Sequence, residues 1–172
     1  MTTKLMLGTL ILMLAVPAAA VEKAGTFALG FSDSDAPVAV RYFSSETLGF
    51  DLGLGLESAD LGDESASSLF FEGGVTYVVK DYEDAFFFVR PAIAYKSLDD
   101  RVYGSGTLDD TWTVLELQLN LGGEVRLADR FGLTFQHGLA LTSTDAPGDG
   151  DKLTDFGTRG ENVTMAGVWF TF

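Results

Sequence analysis

The chain's one histidine, His137, is the side chain best placed by its chemistry to act as a general base near neutral pH. It shares an alternating face with Phe131, Leu133, Phe135, Leu139 and Leu141. A second cluster, Asp145, Asp149, Asp151 and Asp155, has the composition of a calcium site without the ligand spacing of a known calcium loop, and reads as a solvated acidic loop. Gly104-Ser105-Gly106 opens no helix, so it is not a phosphate cradle. There is no cysteine, hence no disulfide and no thiolate metal site. No metal, cofactor or catalytic residue is expected. What remains is a set of charges that alternates with apolar residues: Arg41, Lys80, Arg90, Lys96 and Arg126 with Asp51, Glu57, Glu72, Glu116 and Glu124. Five bases match five acids, so the set can neutralise itself in a narrow, low-dielectric interior, where an unpaired charge is costly.

Strands must position these residues. Period-two alternation runs through eight segments, at about 26–32, 37–43, 47–57, 68–80, 85–96, 111–127, 131–142 and 162–172. In the third, Leu48, Phe50, Leu52, Leu54 and Leu56 oppose Gly49, Asp51, Gly53, Gly55 and Glu57. In the sixth, Leu115, Leu117, Leu119, Leu121, Val125 and Leu127 oppose Glu116, Gln118, Asn120, Gly122, Glu124 and Arg126. That alternation crosses Gly122-Gly123 in phase, so the pair belongs inside a strand rather than in a turn. Pro91 removes a ladder donor from the fifth segment and marks a place where a bulge would fit. The connections at 44–46, 81–84 and 128–130 are short, whereas those at 58–67, 97–110 and 143–161 are long; the one at 33–36 is the exception. Short turns on one side and long loops on the other predict an all-β fold, an eight-stranded antiparallel up-and-down transmembrane β-barrel. Its hairpins bring Arg41 opposite Asp51 and Glu72 close to Arg90, and set Lys96 and Glu116 at similar heights on neighbouring strands.

The apolar faces of all eight segments carry no Asp, Glu, Lys or Arg, and aromatics gather near both ends of the segments: Phe27, Tyr42, Phe131, Phe170 and Phe172 at one, Phe31, Phe71 and Tyr95 at the other. The opposite faces are rich in Gly, Ala and Thr. Lipid outside and a crowded polar lumen inside account for both. A soluble secreted barrel of the lipocalin type, carrying a ligand, shares the length and the period and is the alternative architecture. A small-solute pore is a further reading. Eight strands, however, enclose an interior that side chains just fill.

Residues 1–20 read as a signal peptide: Lys4, an apolar run from Leu5 to Val16, and small residues Ala18 and Ala20 that place cleavage after Ala20. The mature chain, residues 21–172, is then one domain. Removing Lys4 leaves ten bases against 25 acids, a formal charge of −15, which excludes nucleic acid as a partner on electrostatic grounds. The last segment ends Gly167-Val-Trp-Phe170-Thr-Phe172. It resembles the C-terminal signal read by the barrel-assembly machinery of bacterial outer membranes, through Gly167, Phe170 and Phe172; the polar residue usual two places before the glycine is replaced by Met165.

Taken together, leader, eight strands, charged lumen and terminal aromatic resemble the small outer-membrane β-barrel family typified by the membrane domain of outer membrane protein A and its single-domain relatives. The resemblance implies a monomeric barrel in the bacterial outer membrane, in contact with outer-membrane lipid and lipopolysaccharide. Its role would be envelope integrity or surface interaction, without catalysis. Lipid A deacylases are also eight-stranded barrels, with an outward histidine, a serine two residues on and a nearby acid. His137 meets the first condition, but Leu139 stands at the second and no outward acid is at hand. A hydrogen-bonded histidine, or a bulge that turns it inward, is therefore expected in place of a hydrolase site.

Overall fold

The protein is seen in a computed structural model that describes residues 22–31, 37–60, 65–99, 111–145, 152–158 and 164–172. Residues 1–20, expected to be a signal peptide cleaved after Ala20 and including Ala18, the Gly104-Ser105-Gly106 stretch, and Asp149 and Asp151 lie outside the described residues.

Alternating β-branched, aromatic and leucine residues against small or polar ones form strands wherever the sequence carries them. These are β1 (Phe27–Phe31), β2 (Val38–Phe43), β3 (Leu48–Asp60), β4 (Ser65–Asp81), β5 (Ala85–Asp99), β6 (Thr111–Ala128), β7 (Phe131–Asp145), β8 (Leu153–Gly157) and β9 (Thr164–Thr171). Each of β1 to β7 pairs antiparallel with the next, β7 pairs with β9, and β9 returns to β1. The result is a closed eight-stranded antiparallel up-and-down barrel, the fold class anticipated from the alternation.

Nine elements make eight wall positions because β8 and β9 share the last one. Ala140 of β7 faces Gly157, and His137 faces Thr164. Between those pairs β7 advances by two residues, 138 and 139, while the chain advances by six, 158–163. The eighth strand therefore carries a four-residue excess. The expected loop at 143–161 is corrected accordingly: β7 continues to Asp145, and β8 lies within that interval. Thr142-Ser143-Thr144 is polar on both faces, so hydrophobicity ceases to alternate while the ladder continues.

Pro91 is also corrected. It sits in regular register opposite Leu119, and the bulge lies instead between Val78 and Lys80. The β4–β5 ladder passes from Gly74↔Ala92 to Tyr77↔Val89 without pairs at Arg90 and Pro91, so the missing donor falls where the ladder is already interrupted. β6 runs unbroken through Gly122-Gly123. A Cβ at Gly122 would lie 2.4 Å from Phe88 Cζ, which shows why this luminal position is bare: the Phe88 ring occupies the space.

Candidate functional site

Two surfaces carry the functional content: the outer belt and the lumen. Leu52, Leu54, Ile93, Leu117, Leu119, Phe135 and Val168 point outward and are exposed. Among the described residues, the outward positions between the two aromatic rows include no Asp, Glu, Lys or Arg. At the short-turn rim Phe27 packs on Tyr42 with centroids 4.7 Å apart, Phe170 on Phe172 at 5.2 Å, and Tyr82 on Phe87 at 6.1 Å, with Lys80 Nζ 5.5 Å from the Tyr82 centroid. These are aromatic rings where an interface would lie, the amphipathic Tyr42 and Tyr82 among them.

The lumen is built in layers. At the short-turn end the rings of Phe43, Phe86 and Phe88 pack with Val78, Phe43 edge-on to Phe86 at 6.0 Å. Lys23, from the arm before β1, closes this mouth: it is buried, its Nζ lies 5.3 Å from the Phe86 centroid, and it pairs with Asp81. The backbone N–H groups of Lys23 and Ala24 donate to the Glu46 carboxylate at 3.2 and 3.1 Å. The same bonds, Ala24 foremost, hold the exposed Glu46 carboxyl below its ordinary range. Gly25 takes a positive φ of 80° to make this turn, and its N–H reaches the Phe43 carbonyl at 2.7 Å.

Above the rings lies the ionic layer. Arg41 faces Asp51 in the β2–β3 register, but its firm partner is across the lumen: Nη1 donates to Glu124 Oε2 at 2.7 Å, whereas Nε is 4.0 Å from Asp51 Oδ2. Arg90 donates Nε to Asp51 Oδ1 at 2.7 Å and Nη2 to both Asp51 and Glu72. Thr76 donates to Asp51 at 2.9 Å, and Thr134 to Glu124 at 2.8 Å. The Arg41 guanidinium stacks 4.0 Å from the Trp169 ring, which is 2% exposed. Higher on β6, Asn120 donates to Gln118 and Gln118 to Glu116, which also meets Lys96 at 3.5 Å.

Seven of the eight charges singled out above for a luminal network are thus gathered inside: Arg41, Asp51, Glu72, Arg90, Lys96, Glu116 and Glu124. The eighth, Arg126, is not. It sits half-buried at the rim and donates to the Glu83 carbonyl at 3.3 Å. Lys80 and Glu57, counted in the balanced five-and-five set, are exposed. The bulge at Val78–Lys80 takes Lys80 off the inner face, and Glu57 lies beyond Leu54, the last β3 residue that β2 covers. Of those ten residues, three bases and four acids remain in the lumen in place of an even match. Gly167 lines the lumen, while Phe170 and Phe172 are exposed at the rim.

Lys23, Thr76, Thr134, Gln136 and Trp169 were not picked out as luminal contributors. Parity could have found the last four; nothing in the sequence marks the arm residue Lys23 as buried. His137 points outward, and its Nδ1 lies 2.6 Å from Thr164 Oγ1. A hydroxyl is therefore present, on the neighbouring strand, but the described outward face offers no carboxylate to orient the imidazole. The arrangement satisfies a polar group in an apolar belt. Among the described residues there is no group of three or more metal-ligating side chains.

No family model matches the sequence, and no curated protein matches it. Among solved structures, the crystal structure of the N-terminal β-barrel domain of Pseudomonas aeruginosa OprF matches with a TM-score of 0.53 at 10% identity, covering 87% of this chain and 98% of that one. The chain accordingly shares the fold of that β-barrel domain.

Proposed function

We propose that the protein is a non-catalytic, monomeric barrel of the bacterial outer membrane, serving envelope integrity or contact at the cell surface. The observation that carries this reading is the outward belt: leucine, valine and aromatic side chains exposed around the barrel, free of charge between the aromatic rows. In water such a surface would aggregate; in a bilayer it is the required one. A soluble carrier would bury that face and keep a ligand cavity. Here the charged residues are the ones inside, and side chains fill the interior. The likeness in fold to the OprF barrel domain supports the same reading.

On this proposal residues 1–20 direct export and are removed after Ala20. Gly167, Phe170 and Phe172 present the last strand to the barrel-assembly machinery, and the belt meets outer-membrane lipid and lipopolysaccharide. The test is fractionation of cells that express the protein. It should appear in outer membranes and migrate differently on gels before and after boiling, and its deletion should raise permeability to hydrophobic dyes. Recovery as a soluble periplasmic protein would overturn the proposal.

A further inference from the structure

Six buried side-chain nitrogen or oxygen atoms have no hydrogen-bond partner among the described residues: Arg41 Nε, Arg90 Nη1, Asn120 Oδ1, Gln136 Oε1, Ser143 Oγ and Trp169 Nε1. Four belong to residues that line one small cavity, Arg41, Arg90, Gln136 and Trp169, together with Asp51, Thr134, Met165 and Gly167. All four side chains are more than nine-tenths buried. They come from β2, β5, β7 and β9, so the coincidence is not local to one strand. Buried polar groups are satisfied almost without exception, by protein or by ordered water.

We infer that this cavity is a binding site for a single long-lived water molecule, accepting from the Trp169 indole N–H and from one guanidinium N–H and donating to Gln136. Size is the first argument. The space open to a water centre is ≈ 10 Å³, about that of one such molecule. Polarity is the second. Met165 fixes the Gln136 amide, because Gln136 Nε2 donates to Met165 Sδ at 2.8 Å and the reversed amide would set two acceptors against each other. The carbonyl Oε1 is thereby the free end. The site offers donors from Arg41, Arg90 and Trp169 and acceptors from Gln136 and Asp51, which suits a molecule that both accepts and donates.

A halide is the rival occupant, since two guanidiniums and an indole N–H make a common anion pocket. It fails on charge. Both arginines are already engaged by Asp51, Glu72 and Glu124, three carboxylates against two cations, and an anion would also face the Gln136 carbonyl. Water bears no such cost. The bound water ties Trp169 of β9 and Gln136 of β7 into the ionic layer.

The chain has two tryptophans, Trp112 and Trp169, so indole labelling with nitrogen-15 gives a two-signal spectrum in micelles or nanodiscs. The Trp169 indole proton should show a rotating-frame cross-peak to a water that stays bound for nanoseconds or longer. Trp169→Phe identifies the signal by removing it. Gln136→Leu should abolish the water cross-peak while the Trp169 resonance persists in a folded spectrum. No cross-peak in the wild type, or one unchanged in Gln136→Leu, would overturn the proposal. So would a saturable shift of the Trp169 resonance on titration with sodium chloride or bromide, which would assign the site to an anion.

Discussion

Removing the Arg90 guanidinium perturbs the centre of the lumen directly. Arg90 is 2% exposed and donates to Asp51 and Glu72. Arg90→Ala leaves both carboxylates buried, and Asp51 keeps the Thr76 hydroxyl and Arg41 Nε at 4.0 Å. Breaking a buried ion pair by deleting one partner costs about 3–5 kcal/mol. A second route bounds the figure. A stranded carboxylate can instead take up a proton, and for an ordinary carboxyl of pKa about 4.3 at pH 7 that costs about 3.7 kcal/mol. The two routes agree on a loss of about 3–4 kcal/mol. The control is Arg126→Ala at the rim, whose guanidinium donates to the Glu83 carbonyl at 3.3 Å and feels the exposed Glu46, and whose loss is expected to cost about 0–1 kcal/mol. Urea unfolding in phospholipid vesicles, followed by tryptophan fluorescence and by gel mobility of the unheated protein, reads both. Glu72→Gln combined with Arg90→Ala should cost less than the two single changes summed, because the two residues are partners of each other. If Arg90→Ala fell within about 1 kcal/mol of Arg126→Ala, the burial argument for the ionic layer would be wrong.

Gly122→Leu should abolish folded protein, since a Cβ there would lie 2.4 Å from Phe88 Cζ and 2.8 Å from the Phe135 carbonyl oxygen; Gly73→Ala, outward and with its nearest neighbour at 3.9 Å, should fold normally, and heat-dependent gel migration distinguishes them. Glu46, exposed and with its carboxyl held below the ordinary value of 4.5, ties down the arm at 23–24. That contribution is present above pH 4.5 and is lost as pH falls through the lower folded-state value, so hydrogen exchange at Lys23 and Ala24 should accelerate in acid, and in Glu46→Gln should be fast at both pH values after correction for intrinsic rates. Purified protein in planar bilayers should give no stable conductance on the nanosiemens scale, because the Phe43, Phe86 and Phe88 rings and the ionic layer fill the bore. Deleting residues 159–162 restores a one-to-one count between Ala140↔Gly157 and His137↔Thr164 without changing which face each residue shows, so the barrel should still assemble; loss of folding would refute the register offset assigned to the eighth strand.

Much of the fold was legible because an apolar outer wall around a polar lumen imposes a strict alternation. Leu48 to Leu56 and Leu115 to Leu121 face outward as their parity requires, and Arg41 meets Asp51 because a short hairpin fixes the register. Contacts made across the bore were not legible. Arg41 finds Glu124, 83 residues away and on β6, and no pairing of neighbouring strands points to that partner. Lys80 shows another limit: parity holds only while the ladder is regular, and one bulged residue at Val78–Lys80 reverses everything after it. The upper reach of β7 and the whole of β8 were lost for a different reason. Beyond the apolar belt neither face needs to be hydrophobic, so a strand there carries no signature in its composition.

The seam where the barrel closes shows why the lumen matters to the wall. Among the described residues β1 meets β9 through four residue pairs, from Ala28↔Thr171 to Phe31↔Val168, as few as join β1 to β2 and fewer than join any other neighbours in the wall. So short a ladder gives weak closure by backbone bonds alone. The inner face compensates. Gly30 has no side chain because a Cβ would lie 2.1 Å from the Val168 carbonyl and 2.8 Å from the Trp169 ring, so the two strands approach closely and Trp169 lies over the junction. Trp169 packs with Ala28 and Ala39, one from each strand of the β1–β2 hairpin, and its ring receives Arg41. Arg41 in turn is held by Glu124 on the opposite wall, which Thr134 of β7 also binds. A chain of side chains therefore runs from the seam through the bore to β6 and β7. Opening the seam would require withdrawing Trp169 from the guanidinium and exposing a buried ion pair, so closure depends on the luminal residues as much as on the strand ladder.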